Sequence, residues 1–237
     1  MIRTAVIMAA GMGTRFGKYT ELVPKGFVEV NGIPMVIQSI ETLISCGIER
    51  IIIGTGYHKE AYEALCADYP EVICCHSPRY AETNCLYTLW NCRELIGNED
   101  FLLLDSDLIY EPKAITSLLE CKYPSAILTT PVKKFQDSYF VEEDKHHRFV
   151  KWSKDYNELN ACGELIGIHK LRNKFFREVC REFESNLAQN EKSSYEPFFQ
   201  KVSNTTCPIY VLKADDLLWY EIDDEADLKV AEESVHI

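Results

Sequence analysis

The chain has 237 residues, a net charge of −12 and 46% hydrophobic residues, enough apolar material to bury the core of one large α/β domain. So acidic a body is a poor partner for nucleic acid or an anionic membrane surface, both of which need a positive face, and any phosphate site on it has to be locally basic. No apolar run approaches the ~20 residues a membrane helix requires, and the ten cysteines include no Cys-x-x-Cys pair with zinc-ligand spacing, so reduced thiols in a cytoplasmic protein are expected.

The first element is a buried strand, Thr4-Ala5-Val6-Ile7-Met8, that runs into the loop Ala9, Ala10, Gly11, Met12, Gly13, Thr14 and Arg15. Its glycines let the backbone turn tightly and present N–H groups to a ligand with no Cβ in the way, a device for holding phosphates. The dinucleotide fingerprint would continue with a third glycine and a helix. Here Arg15 follows instead, with Thr20 and the Pro24-Lys25 pair shortly after. Two cations beside one glycine turn suit a triphosphate whose pyrophosphate gains charge as it leaves. A plain glycine turn with solvated charges is the alternative.

Beyond Lys25 strands and helices alternate. Asn31-Gly32 is a turn signal, and Pro34 suits the first position of a helix over 34 to 46 that Gly47 stops. Ile51-Ile52-Ile53-Gly54-Thr55 reads as a parallel strand covered on both faces. A helix through Leu65, a strand at Val72-Ile73-Cys74-Cys75 and a helix over about 84 to 96 follow. Thr83 or Asn84 can cap that last helix, and their loop emerges beyond the carboxyl ends of the strands, where ligands sit in doubly wound sheets. Phe101-Leu102-Leu103-Leu104 is a buried strand ending in Asp105-Ser106-Asp107. Alternation puts both acids on one side, where their hard oxygens suit Mg²⁺, although a solvated turn fits them too.

A helix over 112 to 121 and a strand over 125 to 130 lead to a change of texture at Ser138. Tyr139-Phe140-Val141-Glu142-Glu143 and Arg148-Phe149-Val150-Lys151-Trp152 read as a hairpin with His146 and His147 at a solvated tip. Gly163-Glu164-Leu165-Ile166-Gly167-Ile168 is a strand whose small ends let another backbone or a ligand approach; Glu164 in it is either functional or an edge-strand surface acid. Phe175, Phe176, Val179 and Phe183 make the core face of a helix over about 174 to 188, and a short helix follows Tyr195. Glu221 and Asp223 share one side of a final strand, ahead of a helix capped by Asp223 or Asp224.

The run from Ala9 to Lys25 resembles the start of the nucleotidyltransferases that join a nucleoside triphosphate to a phosphorylated acceptor. Tyr80-Ala81-Glu82-Thr83-Asn84, with Tyr87 and Leu89, resembles the matching loop of the bacterial phosphocholine cytidylyltransferases, and the similarity spans residues 4 to 230. It implies a Rossmann-like, doubly wound α/β fold with a mostly parallel mixed sheet, one domain over 1–237, and a hairpin excursion over the acceptor site. It also implies that the glycine loop surrounds a triphosphate, with Thr83, Asn84 and Asp105 in the nucleotide site, Arg15 and Lys25 on the phosphates, and Asp107 completing an Mg²⁺ site with Asp223. CTP is the implied donor; phosphocholine and 2-aminoethylphosphonate are the implied acceptors.

No side chain stands out as an activated nucleophile or poised base. None is needed if the acceptor is a phosphate or phosphonate, whose oxygen is already anionic, so that catalysis reduces to positioning and charge neutralisation. A quaternary ammonium is caged by aromatic faces, whereas a primary one also needs carboxylate or carbonyl acceptors. Tyr139, Trp152, Tyr156 and Tyr195 can form a cage; Glu143 and Glu164 can accept from an amine, with Glu221 a further acid on that side. These acids favour 2-aminoethylphosphonate. The alternatives are a phosphocholine or sugar-phosphate nucleotidyltransferase, a glycosyltransferase of similar architecture, which would not need Arg15 and Lys25, and a nucleotide sensor, which would not need both metal carboxylates. Relatives in this branch can carry a second enzyme domain, so a longer parent chain stays open, as does a homodimer.

Overall fold

The computed structural model describes residues 2–135 and 138–235. Its elements begin with β1 (Thr4–Ala9), the small hairpin β2 (Glu29–Val30) and β3 (Ile33–Pro34), α1 (Met35–Ser45), β4 (Arg50–Thr55), α2 (Lys59–Leu65), β5 (Val72–His76), α3 (Cys85–Asn91) and α4 (Arg93–Ile96). They continue through β6 (Phe101–Asp105), β7 (Leu108–Tyr110), α5 (Lys113–Glu120), β8 (Ala126–Thr130), β9 (Phe140–Glu143), β10 (Phe149–Ser153) and β11 (Ala161–Leu171). The chain closes with α6 (Asn173–Glu184), α7 (Leu187–Asn190), α8 (Glu196–Thr205), β12 (Tyr210–Lys213), β13 (Trp219–Glu221) and α9 (Glu225–Ser234).

Among the described residues one mixed sheet runs β10-β9-β11-β6-β1-β4-β5, with β8 beside β11 and β12 beside β8. The span from β6 through β1 and β4 to β5 is parallel, while β11 runs antiparallel to β6, β8 and β9. Strand alternation divides the apolar residues between two cores. Ala5, Ile7, Ile51, Ile53, Leu102 and Leu104 face α1, α2 and α5, whereas Val6, Met8, Ile52 and Leu103 face α3, α6 and α8. Both faces being covered, Ile51-Ile52-Ile53 needs no polar alternation, and the doubly wound α/β expectation holds.

Departures from the expected boundaries have local causes. Asn31 (φ 53) and Gly32 (φ 82) make the hairpin turn, and Pro34 belongs to β3, so α1 starts one residue later. The helix expected over 84 to 96 is two: the Cys92 N–H reaches Leu89 O at 3.1 Å as well as Thr88 O at 3.3 Å, tightening the last turn of α3. α6 stops at Glu184 because Ser185 Oγ and Asn190 Nδ2 take the last carbonyls, at Glu182 and Phe183. A third, smaller core joins Phe16, Val28, Val30 and Met35 to Ile109, Ile222, Ala231 and Val235. It fastens the segment after the glycine loop to the last strand and helix.

Candidate active site

β1 delivers the glycine loop at its carboxyl end. Gly13 takes φ +60, and a methyl group there would meet Thr20 Cγ2 at 3.0 Å and Lys25 Cβ at 3.1 Å, so glycine is required twice over. The buried Thr20 hydroxyl donates to Gly13 O (2.9 Å) and Gly17 O (3.3 Å), tying the loop shut. Phe16 seats in the third core, which presents Arg15 to the segment carrying Asp223.

That segment is clamped to the turn after β6. β13 pairs with β7, setting Glu221 opposite Leu108, and the Ile222 N–H donates to Asp107 O at 2.9 Å. Asp107, Glu221 and Asp223 consequently each offer a carboxylate oxygen within 4.8 Å of the others. Lys25 Nζ bridges two of them, 2.5 Å from Asp107 Oδ2 and 2.6 Å from Asp223 Oδ1, and Arg15 Nη2 lies 2.7 Å from Asp223 Oδ1. Burial alone would lower the Lys25 ammonium, but the Asp107 and Asp223 charges outweigh it and hold it above its ordinary value. Burial likewise works against ionised Asp223, and Lys25, then Arg15, overcome it, so this carboxyl lies below its ordinary value. Glu221 goes the other way: burial and the neighbouring Asp107 and Asp223 push it well up.

The cluster fits a hard divalent cation. Asp107 Oδ1 is buried without a hydrogen-bond partner, a costly state that a cation relieves, and an all-oxygen donor set suits Mg²⁺. Asp224, not Asp223, caps α9, accepting from Ala226 N (2.8 Å) and Asp227 N (2.9 Å), which leaves Asp223 to the cluster.

Two cavities meet at these carboxylates. The larger, about 410 Å³, is walled by Ala9, Ala10, Gly11 and Gly13 of the glycine loop and by Arg15, Lys25, Thr83, Asn84, Asp105, Asp107 and Glu196. Met12, 43% exposed, and Thr14 are not in its wall. Thr83 and Asn84 also serve the loop itself: Thr83 Oγ1 donates to Arg79 O at 2.7 Å, and Asn84 Oδ1 accepts from Cys85 N at 2.7 Å as the α3 cap. The second cavity, about 190 Å³, joins Tyr139, Tyr195 and Glu221 to Asp105, Glu196 and Lys154.

Several expected positions fall elsewhere. Asp105 and Asp107 both line the larger cavity, but Asp105 is outside the three-carboxylate cluster: β6 ends at Asp105, and Ser106-Asp107 is a turn to which strand alternation does not apply. Asp105 is instead buried against Tyr195, whose hydroxyl donates to Oδ2 at 3.3 Å; burial first, then Asp107 and Glu196, push its carboxyl well up. Glu143 pairs with Lys213 (2.5 Å) and His147 (3.0 Å) on the hairpin and borders neither cavity. Glu164 is 2% exposed and structural, accepting from Ser138 Oγ at 2.5 Å and from the Lys133 N–H at 2.7 Å. Trp152 packs on Phe149, ring centroids 4.6 Å apart, in the second core. Glu196, Lys154 and Tyr62 are cavity residues that sequence reasoning did not reach; the signal for Glu196 was its place beside Tyr195.

Residues 5–182 match the MobA-like NTP transferase domain. The 2-aminoethylphosphonate cytidylyltransferase of Lancefieldella rimae is 33% identical over 111 residues, 47% of this chain and 45% of that protein. The choline-phosphate cytidylyltransferase of Streptococcus pneumoniae is 39% identical over 103 residues, 44% of each. The chain thus spans less than half the length of these two curated relatives in the matched regions. Among solved structures, the inositol-1-phosphate CTP transferase from T. maritima covers all of this chain with 98% of its own, at a TM-score of 0.81 and 22% identity, a likeness of fold. No helix among the described residues is long and apolar enough to cross a membrane.

Proposed function

The chain belongs to the MobA-like NTP transferase domain family, and we propose that it transfers CMP from CTP to 2-aminoethylphosphonate, releasing pyrophosphate. The observation that carries this reading is the junction of the two cavities: Lys25, Arg15 and the three-carboxylate cluster stand where a donor in one and an acceptor in the other would meet. The nucleotide occupies the larger cavity, its phosphates on the N–H groups of the glycine loop.

A phosphonate oxygen of the acceptor attacks the α-phosphorus, forming a new P–O bond as the bond to the β-phosphate oxygen breaks. The leaving pyrophosphate takes the electron pair. No side chain has to remove a proton, since the attacking oxygen is already anionic. Lys25 and Arg15 leave their carboxylate partners in part to face the departing charge, where preorganised cations lower the barrier most. Asp107, Glu221 and Asp223 would hold Mg²⁺, which when bound offsets the repulsion between two anions and favours the in-line approach.

The smaller cavity supports an amine-bearing acceptor. Asp105, Glu196 and Glu221 supply carboxyl oxygens that an N–H donor satisfies and a quaternary ammonium does not. Tyr139 and Tyr195 give that cavity aromatic faces as well, and on this account phosphocholine is the second reading. The test is pyrophosphate release with Mg²⁺, setting CTP, ATP, GTP and UTP against both acceptors. Release with CTP and 2-aminoethylphosphonate above all other pairs is expected. Preference for phosphocholine moves the assignment to the second reading, and silence with every pair refutes the transfer.

A further inference from the structure

Directly behind the acceptor-side cavity lies a buried histidine that the transfer chemistry does not use. His169, 0% exposed, sits on β11 opposite Leu103 of β6 and Ile127 of β8. Its Nε2 is 3.4 Å from the Tyr195 hydroxyl, and its Nδ1 is buried with no hydrogen-bond partner. The Tyr195 hydroxyl in turn donates to Asp105 Oδ2 at 3.3 Å.

With Tyr195 as donor to Asp105 Oδ2, the other bond direction follows. Tyr195 has one O–H and gives it to Asp105, so its oxygen can only accept from His169. Burial pushes the His169 imidazole down to about 3, so it is neutral and carries one N–H. That proton therefore belongs on Nε2, and the orphaned Nδ1 is the bare acceptor. The N–H···O contact at 3.4 Å and the O–H···O contact at 3.3 Å are both longer than the usual range, as in unliganded sites whose hydrogen bonds shorten when a substrate arrives.

The backbone is shaped around the end of this chain. Gly167 adopts φ +77, and a methyl group on it would lie 2.7 Å from Asp105 Oδ2. It stands where the pairing of β11 with β8 shifts register between Leu165 and His169, the mark of a bulge that re-aims a side chain. Asp105 is in the wall of both cavities, and with Oδ2 held by Tyr195 its Oδ1 is the oxygen left for a ligand.

We propose that His169 is a positioning residue: through Tyr195 it locks Asp105 against Gly167 and so fixes the acceptor-side cavity for a ligand that donates N–H. This rests on the transfer reading for what the ligand is, but the hydrogen-bond chain can be tested apart from it. The tautomer of His169 read by nitrogen-15 NMR on the whole protein is expected to be Nε2–H; an Nδ1–H tautomer overturns the proposal whatever the reaction. Steady-state kinetics with CTP and 2-aminoethylphosphonate then compare His169→Gln, which keeps a donor near Nε2, with His169→Met, which removes it, and with Tyr195→Phe. His169→Met and Tyr195→Phe should raise the acceptor KM about tenfold with the CTP KM unchanged, the size of one lost hydrogen bond. His169→Gln should recover most of that loss. Equal behaviour of the Gln and Met variants, or parallel shifts in both KM values, reduces His169 to a packing residue and refutes the proposal. Silence of the wild-type protein with every acceptor refutes the transfer reading and leaves the tautomer to judge the chain.

Discussion

The two cavities are built in opposite ways. The side proposed for the nucleotide takes its glycine loop and both cations from one contiguous stretch, residues 9–25, closed on itself by Thr20, with Thr83, Asn84, Asp105 and Asp107 completing the wall. On the acceptor side, Asp105 comes from β6, Tyr139 from beside β9, Lys154 from beyond β10, and Tyr195 and Glu196 from the start of α8. One is held by ion pairs, the other by the hydrogen bonds that join His169, Tyr195 and Asp105. A transferase has reason to divide its labour so, since every reaction of this kind handles a triphosphate group while the acceptor varies.

The largest effect should come from the ion-paired side. Lys25→Met and Asp107→Asn should each lower turnover by ~10³-fold or more, beyond the loss seen when a single oxyanion donor is removed, because charge and position go together. Pyrophosphate release measured with and without a chelator checks it. Near-wild-type rates in both variants would place the chemistry elsewhere.

Acid should separate the two sides next. Unfolded His169 protonates near its ordinary 6.5, whereas the buried ring holds out to about 3, so the unfolded state binds the proton first and stability is lost as pH falls through that window. Over the whole window the loss is on the order of 5 kcal/mol. Urea midpoints between pH 7 and pH 4 should fall less in His169→Gln than in the wild type. Asp223, held low by Lys25 and Arg15, keeps its contribution until the pH is lower still.

Gly167→Ala should cost about 2 kcal/mol of stability, the strain of a positive φ together with the encounter with Asp105 Oδ2. It should also raise the acceptor KM more than the CTP KM. Thermal unfolding and the two KM values check both parts, and an unchanged melting temperature would show that the bulge relaxes freely.

The same division explains what the sequence discloses. Gly11, Gly13, Arg15 and Lys25 lie within fifteen residues of one another, so their shared purpose shows in their spacing. Asp107 stood out because it follows an apolar strand, whereas Asp223, which its place before a helix would explain as a cap, was singled out by the family resemblance. The acceptor side has no such local signature. Glu143 looked available because Lys213, its partner at 2.5 Å, is seventy residues away and pairs with it only through the fold. Glu164 looked available to an amine for the same reason, its partners Ser138 and Lys133 being distant in sequence. The break in β11 at Gly167 is likewise invisible in a run that reads as one strand.

Glu196 borders both cavities, and on the proposed reading Glu196→Gln should act more on the acceptor than on CTP. Glu196 Oε2 is buried without a hydrogen-bond partner, and removing its charge should raise the KM for 2-aminoethylphosphonate about tenfold, roughly 1.4 kcal/mol. The KM for phosphocholine should move less, since its ammonium has no N–H to offer. Equal effects on the two acceptors would mean that the carboxylate reads charge and not the N–H.

The smallest effect is the sharpest control. By residue type alone Glu143 and Glu196 are equal candidates for holding an amine, yet Glu143 spends both oxygens on Lys213 and His147 at the hairpin surface. Glu143→Gln keeps the volume and removes only the charge, so it should leave both KM values within twofold and lower stability by less than about 1 kcal/mol, the usual worth of a partly exposed ion pair. Measured beside Glu196→Gln, it asks whether the acceptor is recognised by the acidity of the whole hairpin region or by the carboxylates that the fold brings to the cavity wall. A shift in the acceptor KM from Glu143→Gln as large as that from Glu196→Gln would mean that the hairpin closes onto the substrate and that the division between the two sides is not fixed.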